Sequence, residues 1–346
     1  MNLLSKNWSL NRKRDILSKV IDLKYMNIQK VRQCFYDGNI WTKTQLSDET
    51  QLSLSSMTNI LQELLKNQEI FFIGENASTG GRKSKQYVLN KDYRHILKMI
   101  LKRQINGYEF ICQNVNLFNQ VISSQTVSSL YGQVDELILL MKKFLSADSS
   151  ITMICLSIPG VCHDGYIDVC DFELFENVNL LEMIRDFYKN QIILENDVNI
   201  ASIGFYHQYP KCQHLAFVYQ PAVQYIGCGM IINGKLYNGF THFAGELRYL
   251  PFYTSEQQNQ MLETQPKELL EKQLSTLCCV FNPEMIGICS DVIDCLDDFH
   301  LNTIPFKHRP CMIHVKNMGS LIEDGLYQMS IQKILEEEKN DDKELY

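Results

Sequence analysis

Two groups of residues have types and spacings suited to chemistry. The first is Glu195-Asn196-Asp197, joined further along by Glu246 within Ala244-Gly245-Glu246-Leu247. A carboxylate such as Asp197 can accept the proton that an attacking hydroxyl loses, which is the work of a general base. A carboxylate beside an amide also grips vicinal hydroxyls, so the same residues suit plain sugar binding. The second group is Ser55, Ser56, Asn59 and Gln62, followed by the basic run Gly80-Gly81-Arg82-Lys83-Ser84-Lys85. Short hydroxyl and amide side chains reach base edges or phosphates without clashing in a major groove. Cationic side chains on a flexible tip release counterions from a phosphate backbone. The 12 cysteines form no third group. No CxxC pair occurs, so zinc-ribbon and thioredoxin-like spacings are absent, and runs such as Ile154-Cys155-Leu156 and Leu277-Cys278-Cys279-Val280 read as buried small hydrophobes.

The elements that would carry the second group lie in a basic N-terminal quarter. Residues 1–103 hold 18 Lys and Arg against 9 Asp and Glu, a balance of +9, whereas the rest of the chain carries −16. A basic module on an acidic body is the footprint of a nucleic-acid reader, although solvated basic surfaces give the same count. Residues 28–38 read as a helix with Val31, Cys34 and Phe35 on one face. Thr42 with Gln45 forms a capping box for a short helix over 43–50 that buries Leu46. Gln51-Leu52 is a tight connection, and Ser53 caps a further helix with Met57, Ile60, Leu61, Leu64 and Leu65 on one stripe. Ser55, Ser56, Asn59 and Gln62 fall off that stripe. This pattern fits a helix-turn-helix, and an ordinary αα-hairpin would share it. Glu69–Ile73 and Gln86–Leu89 then read as strands flanking the basic run, which makes a hairpin with Arg82, Lys83 and Lys85 at its tip: a wing.

The elements that would carry the first group begin at about residue 95. Ile151–Ile158 reads as a buried strand ending at Pro159-Gly160, and Leu180–Tyr188 as a helix. Gln191–Leu194 is a strand running into Glu195-Asn196-Asp197, with a helix from Val198 to Tyr206. Leu215–Tyr219 is a strand, and Ile226–Ile232 with Lys235–Tyr237 forms a hairpin around the turn dipeptide Asn233-Gly234. Leu274–Phe281 is a helix and Met285–Cys289 a strand. The class is α/β. With 346 residues the chain has length for about two domains, divided here as 1–92 and 93–346. The broken apolar run at Leu3-Leu4 is no signal peptide, and no stretch approaches the ~18 apolar residues of a spanning helix, so a soluble, cytoplasmic chain is expected.

The ordered motifs Ile158-Pro159-Gly160-Val161, Glu195 to Ala201, Ile226 to Gly239, Ala244 to Leu247 and Phe281 to Ile286 resemble the ROK family (repressors, open reading frames, kinases). Leu52-Ser53 and Ser78-Thr79-Gly80-Gly81-Arg82 resemble its repressor branch, and the likeness covers about residues 27 to 335. The resemblance implies an N-terminal winged helix-turn-helix followed by a two-lobed, ribonuclease-H-like sugar-kinase fold with a cleft between the lobes. It places Gly160, Asn196, Asp197 and Glu246 at a sugar, with Asp197 at the position of the kinase base.

The family's phosphate-binding stretches do not carry over. The region matching the first, Ile100 to Ile105, has no Asp, Gly or Thr; its Lys102 and Arg103 could attract phosphate, and a solvated strand edge would look the same. The second reads Val223-Gln224-Tyr225-Ile226-Gly227, with side chains where phosphate would approach backbone. The family's zinc-binding His is replaced by Tyr249 and its cysteine cluster is missing. The expectation is therefore a non-enzymatic regulator with no cofactor and no metal, binding a double-stranded DNA operator as a homodimer or higher homo-oligomer and answering to a sugar or sugar phosphate. A divergent ATP-dependent sugar kinase and a ligand-independent dimer are the alternatives, and Asn196, Asp197 and Glu246 could also be inherited scaffold with no ligand.

Overall fold

The computed structural model describes residues 23–75, 83–104, 106–222, 226–296 and 299–337. The wing tip with Gly80, Gly81 and Arg82, the segment Val223 to Tyr225 and the two ends of the chain, 1–22 and 338–346, lie outside the described residues. Contacts gather the chain into two compact units. One holds the described residues up to His95, the turn Asn116–Gln120 and residues from Ile331; the other holds Ile96–Val115 and Val121–Ser330.

The first unit begins with α1 (residues 23–35), then β1 (Trp41–Thr42), α2 (Lys43–Thr50), α3 (Leu54–Lys66), β2 (Ile70–Glu75) and β3 (Lys85–Leu89). The capping box at Thr42 is formed, with its hydroxyl accepting from the Gln45 N–H and the Gln45 side chain returning to the Thr42 N–H. Gln51 ends α2 in the left-handed region (φ 58°), and the Ser53 hydroxyl caps α3 through the Ser56 N–H. Leu46, Met57, Ile60, Leu61 and Leu64 are buried with Val31 and Phe35 of α1. β2 and β3 pair antiparallel and β1 adds to β3, giving sheet order β1-β3-β2.

Three expectations for this unit need correction. The first helix runs over 23–35, not 28–38, because Tyr25 and Ile28 extend the buried stripe upstream and Gly38 (φ 76°) lies in the turn beyond it. Cys34 and Leu65 are only half-buried, each at the rim of its stripe. The returning wing strand starts at Lys85. One polar tie is central: the Arg32 guanidinium holds both Glu69 carboxylate oxygens at 2.6 and 2.7 Å, linking α1 to the residue that leads into β2.

The second unit contains two five-stranded sheets. The first uses β4 (His95–Gln104), β5 (Gly107–Asn116), β6 (Val121–Ser129) and, after α4 (Val134–Ala147), β7 (Ile151–Ile158). A small sheet of β8 (Gly160–His163), β9 (Tyr166–Cys170) and β10 (Val178–Asn179) follows, then α5 (Leu180–Arg185), β11 (Gln191–Asn196) and α6 (Asp197–Gln208). The second large sheet takes β12 (His214–Gln220), β13 (Gly227–Ile232), β14 (Lys235–Leu236) and, after α7 (Ser255–Thr264) and α8 (Pro266–Val280), β15 (Met285–Ser290) and β16 (Cys311–His314); α9 (Met318–Glu337) closes the described chain. The strand orders are β11-β7-β4-β5-β6 and β14-β13-β12-β15-β16. Numbered by appearance within its own sheet, each runs 3-2-1-4-5, so one ribonuclease-H-like topology occurs twice. In the second sheet the first three strands are antiparallel neighbours and the last two add in parallel, β15 after the helices α7 and α8.

The second unit also departs from the sequence reading in places. The helix expected over 274–281 begins at Pro266, where proline at the first turn costs no hydrogen bond. Its predecessor α7 is a separate helix broken at Gln265. The helix expected to reach Tyr188 ends at Arg185. Cys279 points outward on α8, and Cys295 and Cys311 are exposed as well, so the reading of the cysteines as buried holds for Cys112, Cys155, Cys162, Cys170, Cys228, Cys278 and Cys289. Among the described residues no helix is long and apolar enough to cross a membrane.

Arg32→Ala would leave the buried Glu69 carboxylate without its guanidinium. Breaking such a pair costs about 3 kcal/mol. Urea unfolding followed by tryptophan fluorescence should report a loss of that order in the transition that includes Trp41. An unchanged midpoint would mean the pair contributes nothing.

Candidate functional site

The junction between β11 and α6 builds the cleft of the second unit. Asn196 is the N-cap of α6: its Oδ1 accepts from the N–H groups of Val198 (2.9 Å) and Asn199 (3.1 Å). Its Nδ2 donates to the Gly160 carbonyl at 3.0 Å, which ties the junction to β8. The expected sugar contact is therefore already occupied at its oxygen, and one amide hydrogen remains for a ligand. Glu195 is buried beneath; it accepts from the Asn196 N–H and Asn199 Nδ2, and its other oxygen accepts from Asn238 Nδ2 at 2.8 Å. Gly160 must be glycine, because a Cβ there would lie 2.5 Å from the Val169 carbonyl oxygen of β9.

These ties bring Gly160, Asn196, Asp197 and Glu246 to one pocket of about 60 Å³, together with Asp171, Tyr219 and Gly227. Asp171 went unnoticed in the sequence. It follows β9, and its N–H donates to the Pro159 carbonyl at 2.9 Å. Only the register of the β8–β9 hairpin reveals that it faces the site.

Burial and mutual repulsion leave these carboxyls reluctant to ionise. Asp197 is pushed up to about 7, chiefly by burial and then by Asp171, with Glu246 adding to it; the Val198 N–H pulls the other way. Glu246 is raised to about 7 by burial and Asp171, against Arg248. Asp171 is raised to about 6 by burial, opposed by Arg103 and Arg248. The group thus titrates near neutrality as a coupled set. Carboxyls in that state both accept from and donate to hydroxyl groups.

A wider cavity adjoins the first and shares Pro159, Asp171, Asp197, Tyr219 and Pro221 with it. Lys102 and Arg103, at the end of β4, face it together with Lys316 and Gly319 before and within the first turn of α9. Asp291 also lines it, but its Oδ2 accepts from the Tyr219 hydroxyl (2.9 Å) and the Ala222 N–H (3.3 Å). Tyr249, where the family's zinc-binding His would stand, is exposed and rests against Phe243 at 5.0 Å. Among the described residues no cluster of three or more His, Cys, Asp or Glu is placed to hold a metal ion.

In the first unit, α3 turns Ser55, Asn59 and Gln62 to solvent, and Ser56 is half-buried. The hydroxyls of Ser55 and Ser56 each lie 3.0 Å from Ser53 Oγ, so part of their capacity goes to the cap. Lys83 and Lys85 are exposed on the hairpin, and Lys85 Nζ sits 5.6 Å from the Phe72 ring centroid. Lys43, unnoticed in the sequence, opens α2 and donates to Thr58 on α3 at 3.4 Å.

Residues 115–258, which include the junction, the pocket and Glu246, match the ROK family. The chain carries a ROK domain. It is similar to a xylose repressor of Caldicellulosiruptor bescii, 24% identical over 239 residues that make up 65% of this chain and 58% of the repressor. The chain thus spans less than two thirds of that relative. A solved ROK family transcriptional regulator, a homologue of the E. coli MLC protein, superposes with a TM-score of 0.64 at 16% identity, covering 91% of this chain and all of the regulator. A ROK hexokinase from Thermus thermophilus superposes over 69% of the chain with a TM-score of 0.53 at 12% identity. The ROK domain therefore has the fold common to regulators and sugar kinases, and the regulator's likeness extends over the N-terminal unit as well.

The raised carboxyls of the ROK domain give stability a definite pH sign. Their folded values lie above their unfolded ones, so the folded state binds more protons between about pH 4 and 7, and stability falls as pH rises through that window. Melting temperatures should decline across the window, and Asp197→Asn should make the decline shallower. A variant whose slope equals that of the parent would remove Asp197 from the titrating set.

Proposed function

We propose that the chain is a DNA-binding transcriptional repressor whose ROK domain binds a sugar, or a sugar phosphate, and does not phosphorylate it. The pairing of a capped helix-turn-helix and basic hairpin in one unit with a carboxylate-lined pocket in the other carries this reading. α3 presents Ser55, Ser56, Asn59 and Gln62 to base edges, while Arg82, Lys83 and Lys85 lie along phosphates. We set the boundary between the DNA-binding and ROK domains at residues 92–93. The protein acts in the cytoplasm as a homodimer, since paired modules read paired half-sites.

Gly160, Asn196, Asp197 and Glu246, with Asp171, form the sugar site. The names of the xylose repressors support a sugar as effector. Kinase chemistry fits poorly. The end of β4 offers Lys102-Arg103-Gln104 in place of a glycine turn with an acidic residue, and the Asp291 carboxylate is engaged by Tyr219 and Ala222. The residue that still favours an enzyme is Asp197, since a carboxyl near 7 is poised as a base. An ATP-dependent phosphorylation assay on a sugar panel separates the two: turnover of any sugar overturns the repressor-only reading.

Selection of bound fragments from the host genome should return a discrete operator. On that operator, Arg82→Ala with Lys83→Ala should weaken binding to all DNA and reduce the slope of log K against log salt by about 1.8, from ~0.9 per phosphate contact. Asn59→Ala should cost about 1–3 kcal/mol of discrimination against random DNA; equal loss on both would exclude a base contact. Asp197→Asn should keep operator affinity and lose the sugar's effect on it. If no sugar stabilises the parent in a thermal-shift screen, the ligand-independent dimer takes the place of this reading.

A further inference from the structure

The helix that would enter the groove opens on an exposed apolar residue. Leu54 is the first residue of α3, directly after the Ser53 cap, and it is 49% exposed. Met57, Ile60, Leu61 and Leu64 form the buried stripe of this helix, while Ser55, Asn59 and Gln62 face solvent. At about 3.6 residues per turn, Leu54 and Thr58 stand one turn apart on the flank between those two faces. Single exposed leucines are common on protein surfaces, so exposure alone decides nothing. The place of this one does, because the N-terminal residues of a groove-reading helix are those that meet base edges.

The surroundings of Leu54 suit it to reading. Its backbone is pinned, since the Thr58 hydroxyl donates to the Leu54 carbonyl at 2.8 Å. Thr58 Oγ1 in turn accepts from Lys43 Nζ at 3.4 Å, so a cation from the start of α2 stands on the same flank, where it can meet a phosphate beside the base. The hydroxyls next to Leu54 are partly committed. Ser55 Oγ and Ser56 Oγ each lie 3.0 Å from Ser53 Oγ, which also accepts from the Ser56 N–H at 3.2 Å. The first turn therefore gives much of its polar capacity to the cap and leaves Leu54 as a projecting, non-polar side chain. An isobutyl group neither donates nor accepts a hydrogen bond. In a major groove its complement is the 5-methyl group of thymine. Resting on the DNA-binding reading above, we propose that Leu54 packs on a thymine methyl and makes the operator specific for thymine at that position. A cytosine there would set its amino donor against the leucine and leave that donor unpaired, which disfavours it. Asn59, five residues further along α3, reads a different base by hydrogen bonds, so the two residues contribute separate parts of the site.

The test replaces each thymine of the selected operator in turn with deoxyuridine, which pairs as thymine does and lacks only the methyl group. Titration of the full chain against each labelled duplex should find a position where loss of the methyl weakens binding about fourfold, the worth of one buried methyl. Leu54→Ala should bind the thymine and uracil duplexes equally at that position. It should hold random DNA as the parent does, with the same salt slope, because no phosphate contact is touched. Leu54 is exposed and the Ser53 cap is retained, so the variant should melt with the parent. An operator on which no thymine methyl matters would overturn the proposal. So would a Leu54→Ala variant that keeps the parent's response to the methyl, or one that loses operator and random DNA alike. A chain that selects no discrete operator would overturn the DNA-binding reading itself, and the role of Leu54 with it.

Discussion

Both lone pairs of the Asn196 amide oxygen are taken by N–H groups at the start of α6, and its nitrogen reaches the Gly160 carbonyl across the junction. The cleft depends on this single side chain. It starts the helix at the residue after β11, so Asp197 emerges at the helix N-terminus. It also holds β8 against the junction, and the β8–β9 hairpin brings Asp171 alongside. A helix N-terminus favours a carboxylate by about 0.3–2 kcal/mol. Asp197 nevertheless rises from 3.8 to about 7, so burial beside two further acids outweighs the helix. The site is built to hold carboxyls near their titration point.

The same scaffold serves sugar kinases and regulators, so fold does not decide between them. The decision lies in the polar groups around the second cavity. A phosphoryl-transfer site needs backbone that approaches phosphate closely and a free carboxylate for a metal ion. Here Lys102, Arg103 and Lys316 bring long side chains to that space, and Asp291 is already hydrogen-bonded. Such a surface can hold an anion.

Much of this was legible in the sequence where the deciding physics is local. The Thr42 capping box, the Ser53 cap, the α3 stripe apart from Leu65 and the Asn233-Gly234 turn depend on residues a few positions apart, and they stand as read. The ordered motifs placed Gly160, Asn196, Asp197 and Glu246 in one pocket. What escaped depends on long-range register. Asp171 faces the site only because β9 returns beside Pro159, and the occupation of Asn196 by backbone follows from β8 lying next to the junction. The early start of α1 and the outward turn of Cys279 belong to the same class, since each is decided by what packs against a helix face rather than by the face itself.

Coupling between ligand and DNA requires two states that the ligand binds unequally. The pocket supplies the means. Its walls come from the β8–β9 hairpin and the β11–α6 junction (Gly160, Asp171 and Asn196) on one side, and from β12, β13 and the loop after β14 (Tyr219, Gly227 and Glu246) on the other. Three carboxyls cannot all ionise at this spacing without repelling one another, and that repulsion acts across the cleft because Glu246 and Asp171 stand on opposite walls. A polyhydroxyl ligand donating to both walls relieves the repulsion only while the walls are close. A sugar of the kind proposed above would then favour the closed arrangement, which is the differential affinity that the proposed regulator needs.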